Sequence, residues 1–168
     1  MGLPALETER LTLRPWSLDD IDALHQVWAD PEVRRYLWDD DAISRQRAAA
    51  AVEAGVAGAN RNGVGLWCVL QKPAGELAGF CGFRYIEESP EIELLYGLLP
   101  AYWGRGLATE AARAALEYGF GAALFTRIYA RTDVPNRSSV RVLERLGMKL
   151  ERETHLGARP TLIYSLAR

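Results

Sequence analysis

"LLPAYWGRGLATEAA", running from Leu98 to Ala112, joins an apolar stretch to a proline, two aromatics, a Gly-Arg-Gly and an alanine-rich helix. Gly104 and Gly106 have two readings. They can serve only a tight turn, or they can leave backbone N–H groups bare for an anion. The first N–H groups of a helix lack internal partners, and the helix dipole favours negative charge there. Ala108 would keep the approach open with its single methyl, and Arg105 could add a charge-assisted contact. Spacing alone leaves turn and anion cradle both standing. Two better-known phosphate loops fail on context. A nucleoside triphosphate loop ends in Gly-Lys-Ser/Thr, whereas Leu107 and Ala108 follow Gly106. A dinucleotide fold places its glycines early in a βαβ unit, whereas hairpin-like strands precede this loop.

Outward from the loop, the chain alternates strands and helices. Residues 6–15 read as a strand with Leu11 and Leu13 on one face, ended by Pro15. Ser17 and Asp20 have capping-box spacing, and Ile21, Leu24 and Trp28 follow at helical spacing until Pro31. Alanine content makes 42–57 helix-prone, and the Gly and Asn density of 58–65 reads as loop. Residues 66–71 and 77–86 form a hairpin in which Gly79 and Gly82 imply close approaches. A strand at 91–99 leads into the quoted loop, and a helix follows from Leu107 to about Phe120. "RIYARTD" (127–133) is a strand. "NRSSVRVLERLG" (136–147) is a short helix with Val140, Leu143 and Leu146 inward and Gly147 as its stop. Two more strands flank the Gly157–Pro160 turn. The fold class is therefore α+β (mixed α/β): one domain over 1–168, about seven strands in a single central mixed sheet, and about four helices.

Composition narrows the function. The chain has 168 residues, 49% hydrophobic and 25% charged, which suits one soluble domain. Its net charge of −2, with scattered basic residues, gives no nucleic-acid footprint. No apolar run approaches the ~20 residues of a membrane span. The N-terminus has no basic-then-apolar signal, and Leu6 stands where a myristoylation signal wants Ser or Thr. A cytoplasmic protein is expected. Cys68 and Cys81 read as buried thiols, and with only His25 and His155 no metal site is expected. Trp16, Tyr36, Trp38 and Trp67 can line a pocket or fill a core.

Four stretches together resemble the GCN5-related N-acetyltransferases, nearest the branch of Rim-type enzymes that acetylate N-termini of ribosomal proteins. "LETERLTLRPW" resembles the opening strand, "LAGFCGF" the third, "ELLYGLLPAYWGRGLATEAA" the fourth strand plus acetyl-CoA loop, and "NRSSVRVLERLGM" the Asn-x-x-Ser helix. The resemblance implies a mostly antiparallel sheet splayed between its fourth and fifth strands. It implies acetyl-CoA as co-substrate, with the N–H groups of Arg105, Gly106, Leu107, Ala108 and Thr109 on its pyrophosphate. Trp103 stands where the family usually has Gln or Arg, as this branch often does. The backbone of Leu98 and Leu99 would pair with the pantetheine arm and offer an N–H to the oxyanion. Asn136 would hold the arm or cap its helix, and Ser139 would assist the leaving thiolate or be a plain first-turn serine.

An amine attacks the thioester only after losing a proton. Glu93 matches the branch's glutamate and is the expected base, with Glu91 two residues earlier on the same strand face; the pair could instead bind a cationic amine or form a polar edge face in water. Where some Rim-type enzymes carry a second acid in the last hairpin, this chain has Gly157–Ala158–Arg159. "VRRYLWDDD" (33–41) would wall the acceptor groove. The implied partner is a primary amine, first a protein or peptide N-terminal α-amine. The alternatives are a small amine such as a polyamine, amino acid or antibiotic, or a non-catalytic acyl-CoA-binding domain. A homodimer is compatible with the family.

Overall fold

Leu11 and Leu13 are both fully buried, the period of two expected of a strand with one face on a core. The computed structural model describes residues 2–168. Its single sheet contains β1 (Leu6–Glu7), β2 (Leu11–Pro15), β3 (Leu66–Gln71), β4 (Glu76–Tyr85), β5 (Ile92–Leu98), β6 (Arg127–Asp133), β7 (Lys149–Leu156) and β8 (Arg159–Ala167). The strand order is β1-β2-β3-β4-β5-β6-β8-β7. Every neighbouring pair is antiparallel except β5 and β6. Among the described residues there are eight strands rather than seven because a turn splits the first one. Thr8 N–H donates to Leu11 O (2.9 Å) and folds β1 back on β2.

The faces of the sheet are covered by different helices. The core cluster around α1 (Ile21–Ala29), α2 (Pro31–Arg34) and α3 (Arg45–Asn62) contains Trp16, Trp28, Cys68 and Phe80. The cluster beneath α4 (Leu107–Gly121) and α5 (Arg137–Arg145) contains Trp67, Cys81, Phe83 and Leu143. Trp16 and Trp67 are thus core residues. The two cysteines lie on opposite faces, and burial pushes both thiols up to about 12.

The capping box at Ser17 and Asp20 forms as its spacing predicts, although a 3₁₀ turn precedes α1. The expected loop at 58–65 is helical as far as Asn62 and ends at Gly63, whose φ is 68°. Its glycines serve packing. A Cβ on Gly58 would lie 3.1 Å from Val64 O, and one on Gly55 3.0 Å from the Trp16 ring.

The feature that positions the site lies between β5 and β6. They pair only at Ile92↔Ile128 and Glu93↔Tyr129. Beyond that, β5 follows β4 through the pairs from Tyr85↔Ile92 to Gly79↔Leu98, and β6 follows β8 through those from Arg127↔Ala167 to Asp133↔Thr161. A gap opens between the two arms. The tight fit of β5 on β4 depends on Gly79, where a Cβ would lie 2.0 Å from Gly97 O and 2.8 Å from the Leu98 Cα. Gly79→Ala is therefore expected to cost about 2–3 kcal/mol. Thermal denaturation should show this as a fall of roughly 5–10 °C in Tm.

Candidate functional site

The loop after β5 reaches α4 through Gly104 (φ 71°) and Gly106 (φ 76°), both in the left-handed region that glycine adopts without strain. Gly106 is the N-cap of α4 and offers no side chain to its N–H groups. Glu110 is the first residue whose N–H returns to the helix, donating to Gly106 O at 3.1 Å. The N–H groups of Leu107, Ala108 and Thr109 therefore lack helical acceptors. Arg10 sets the loop's orientation. Its Nη1 donates to Arg105 O (2.8 Å), and its Nε donates to Glu110 Oε2 (2.7 Å). In a planar trans peptide, that turns the Gly106 N–H away from Arg10. Thr109 Oγ1 is buried with no hydrogen-bond partner. These groups fit a polyanion such as the pyrophosphate of acetyl-CoA. The alternating pattern at Arg10 suggested only a strand, and nothing nearby in sequence linked it to a residue a hundred positions away.

The end of β5 divides the two residues expected to hold the cofactor arm. Leu99 N–H already donates to Ala78 O (2.8 Å), so it is not free for an oxyanion or a pantetheine amide. Strand alternation turns the Leu98 N–H the other way, into the gap. The Leu98 carbonyl accepts from Trp103 Nε1 at 2.7 Å. Trp103 thus ties the loop around Gly104 and Gly106 to the arm of the sheet, a role its place in the motif did not reveal.

Across the gap, Asn136 caps α5, its Oδ1 accepting from Ser139 N–H at 3.3 Å. Ser139 Oγ lies 2.7 Å from the hydroxyl of Tyr96 on β5. Burial pushes the Tyr96 hydroxyl up, so it keeps its proton and can donate. Tyr96 belongs to the quoted family stretch, but only the folded chain brings it to Ser139.

Glu93 does not fit the role of a free base. It is only 2% exposed. Arg131 Nε and Nη2 donate to its two oxygens at 2.5 and 2.9 Å, and Arg84 Nε donates at 3.0 Å. Both oxygens are engaged at the closed end of the gap, where β5 and β6 still pair. Further along that face, extending the register brings Asp133 level with Gly97. Burial pushes the Asp133 carboxyl up, against the pull of Arg159. Arg159 donates to Asp133, to Asp39 Oδ1 (3.2 Å) and to Arg35 O (3.2 Å). A Cβ on Gly97 would lie 3.3 Å from Leu37 Cδ1, so the 35–41 segment reaches both arms. Trp38 and Asp39 within it have a φ of 54° and Asp40 one of 62°.

A family model described as "Acetyltransferase (GNAT) domain" matches residues 10–149. The uncharacterised N-acetyltransferase p20 of Bacillus licheniformis is 34% identical over 155 residues, covering 89% of this chain and 84% of that one. The spermidine N(1)-acetyltransferase of Escherichia coli K12 is 25% identical over 141 residues, covering 84% and 74%. An acetyltransferase crystal structure from Agrobacterium tumefaciens superposes with a TM-score of 0.86 at 27% identity, covering 100% of this chain and 96% of that one.

Glu93→Gln would leave Arg84 and Arg131 without their shared counter-charge. Unfolding in urea should show a loss of about 3 kcal/mol. A variant as stable as the parent would restore Glu93 as a candidate free base.

Proposed function

From the premise that this chain belongs to the GNAT acetyltransferase family and is an N-acetyltransferase, we propose that it acetylates the α-amine of a peptide or protein N-terminus. The observation that carries this reading is the gap between β5 and β6. One side of it carries an anion-binding loop and a paired Ser–Tyr, the other a set of acids and arginines. Acetyl-CoA supplies the acetyl thioester. Its pyrophosphate would be held by the N–H groups from Arg105 to Thr109, with Asn136 beside its arm.

The remaining tasks fall to this chain's own groups. Leu98 N–H stabilises charge developing on the acyl oxygen. Ser139 donates to the leaving sulfur, and Tyr96 donates to Ser139 Oγ so that the serine's own proton stays free for that task. Asp133, rather than the fully engaged Glu93, receives the amine's proton through water. Glu93 orders Arg84 and Arg131 along the floor of the gap.

The mixed charge of the acceptor side supports a peptide end. Three carboxylates (Glu93, Asp133 and Asp39) alternate with three guanidiniums (Arg84, Arg131 and Arg159). A peptide terminus combines an ammonium with carbonyl acceptors and suits both signs. A polyamine gains from the carboxylates but is repelled by the arginines. The second reading, a polyamine, has the spermidine enzyme's likeness in its favour. Trp103 supports placement near the Rim-type enzymes, and a cytoplasmic setting goes with that reading.

Thiol release should be followed on peptides with free and blocked N-termini and on spermidine. Turnover only with free peptide α-amines is the expected result. Preferential turnover of spermidine favours the second reading, and binding of acetyl-CoA without thiol release on any amine makes the chain a non-catalytic acyl-CoA-binding domain. Gly106→Val should abolish CoA binding in a folded protein, because a branched side chain covers the N–H groups. Ser139→Ala should lower kcat by about 10²-fold with CoA affinity unchanged.

A further inference from the structure

Beside the first two turns of α4 lies a hollow of about 540 Å³, which begins at Gly106 and is lined by Thr109, Glu110 and Arg113 of the helix, with Glu9, Arg10 and Arg145. We propose that this hollow takes the 3′-phosphate of CoA, so that the protein selects CoA over dephospho-CoA. The proposal rests on the reading of the Gly104–Thr109 loop as the pyrophosphate cradle. Nothing in that reading requires the second phosphate to be held, so the two can fail separately.

Three observations point to a phosphate. The first is charge without a partner. Arg10 is spent on Glu110, 2.7 Å away. Arg113 reaches only the backbone carbonyl of Arg145 (Nη2, 3.3 Å). Among the described residues, neither Arg113 nor Arg145 forms an ion pair with a carboxylate. Glu9 also borders the hollow, and its carboxylate pairs with neither. Both residues line the hollow, where an anion would balance their positive charge.

The second observation is the buried, unpartnered hydroxyl of Thr109, which is 7% exposed and borders the same hollow. A helical threonine normally returns its hydroxyl to the carbonyl four residues back. Here that carbonyl belongs to Arg105 and already accepts from Arg10. Thr109 is left with a hydroxyl to offer a ligand. The third observation is reach. Arg113 lies seven residues beyond Gly106, about 10 Å along the helix axis at 1.5 Å per residue. CoA carries its 3′-phosphate on the ribose attached directly to its pyrophosphate. With the pyrophosphate at the helix start, that phosphate is within range of guanidiniums one to two turns further on.

Isothermal titration calorimetry of the full chain with CoA and with dephospho-CoA tests this. The parent should bind CoA at least about tenfold more tightly, the scale of a charge-assisted contact with two guanidiniums. The double variant Arg113→Gln/Arg145→Gln should bring CoA down to the affinity of dephospho-CoA, leaving the latter within about twofold of its parent value. Both side chains are exposed, so an unchanged Tm checks that the variant is folded. Equal affinities in the parent, or a preference that survives the double variant, overturn the proposal. If neither compound binds the parent, the loop reading falls instead.

Discussion

Two residue pairs hold β5 to β6, and the use of the rest of the molecule depends on the pairing ending there. A strand edge that loses its neighbour exposes N–H and C=O groups that need partners. Each arm is therefore secured on its outer side, β5 by β4 and β6 by β8, so the gap persists without the sheet unravelling. The buried Glu93 with its two arginines lies where the strands part.

Arg10 gives the loop its shape from outside. By holding Glu110 and the Arg105 carbonyl together, it fixes both the helix start and the peptide in front of it. One guanidinium thus fixes the direction of the bare N–H groups and occupies the acceptor that Thr109 would otherwise use. Trp103 works from the opposite side, binding the loop to the end of β5. The Gly104–Gly106 loop is thus braced at both ends by side chains.

Much of this was legible in the sequence because it is local. Alternation around Leu11 and Leu13, the Ser17–Asp20 box, the glycines before Leu107 and the cap at Asn136 are decided by neighbours a few residues apart. The 58–65 segment misled because Gly and Asn usually mark loops, whereas Gly55 and Gly58 are there for close packing along α3. Glu93 misled for a different reason. A motif places a carboxylate but says nothing of Arg84 and Arg131, which reach it from two other strands. The Tyr96–Ser139 and Arg159–Asp133–Asp39 contacts were invisible for the same reason, since each joins elements distant in the chain.

Strand alternation along β5 separates two sets of neighbours. Tyr96 and Leu98 face α4 and α5, while Glu93 and Gly97 face the helices that precede β3. The two faces of β5 are therefore met by different parts of the chain. Changes in the segment around Leu37 and Asp39, or at Arg159, leave the Gly104–Gly106 loop and its braces untouched. Such a division lets one face of the strand change through evolution while the other stays the same.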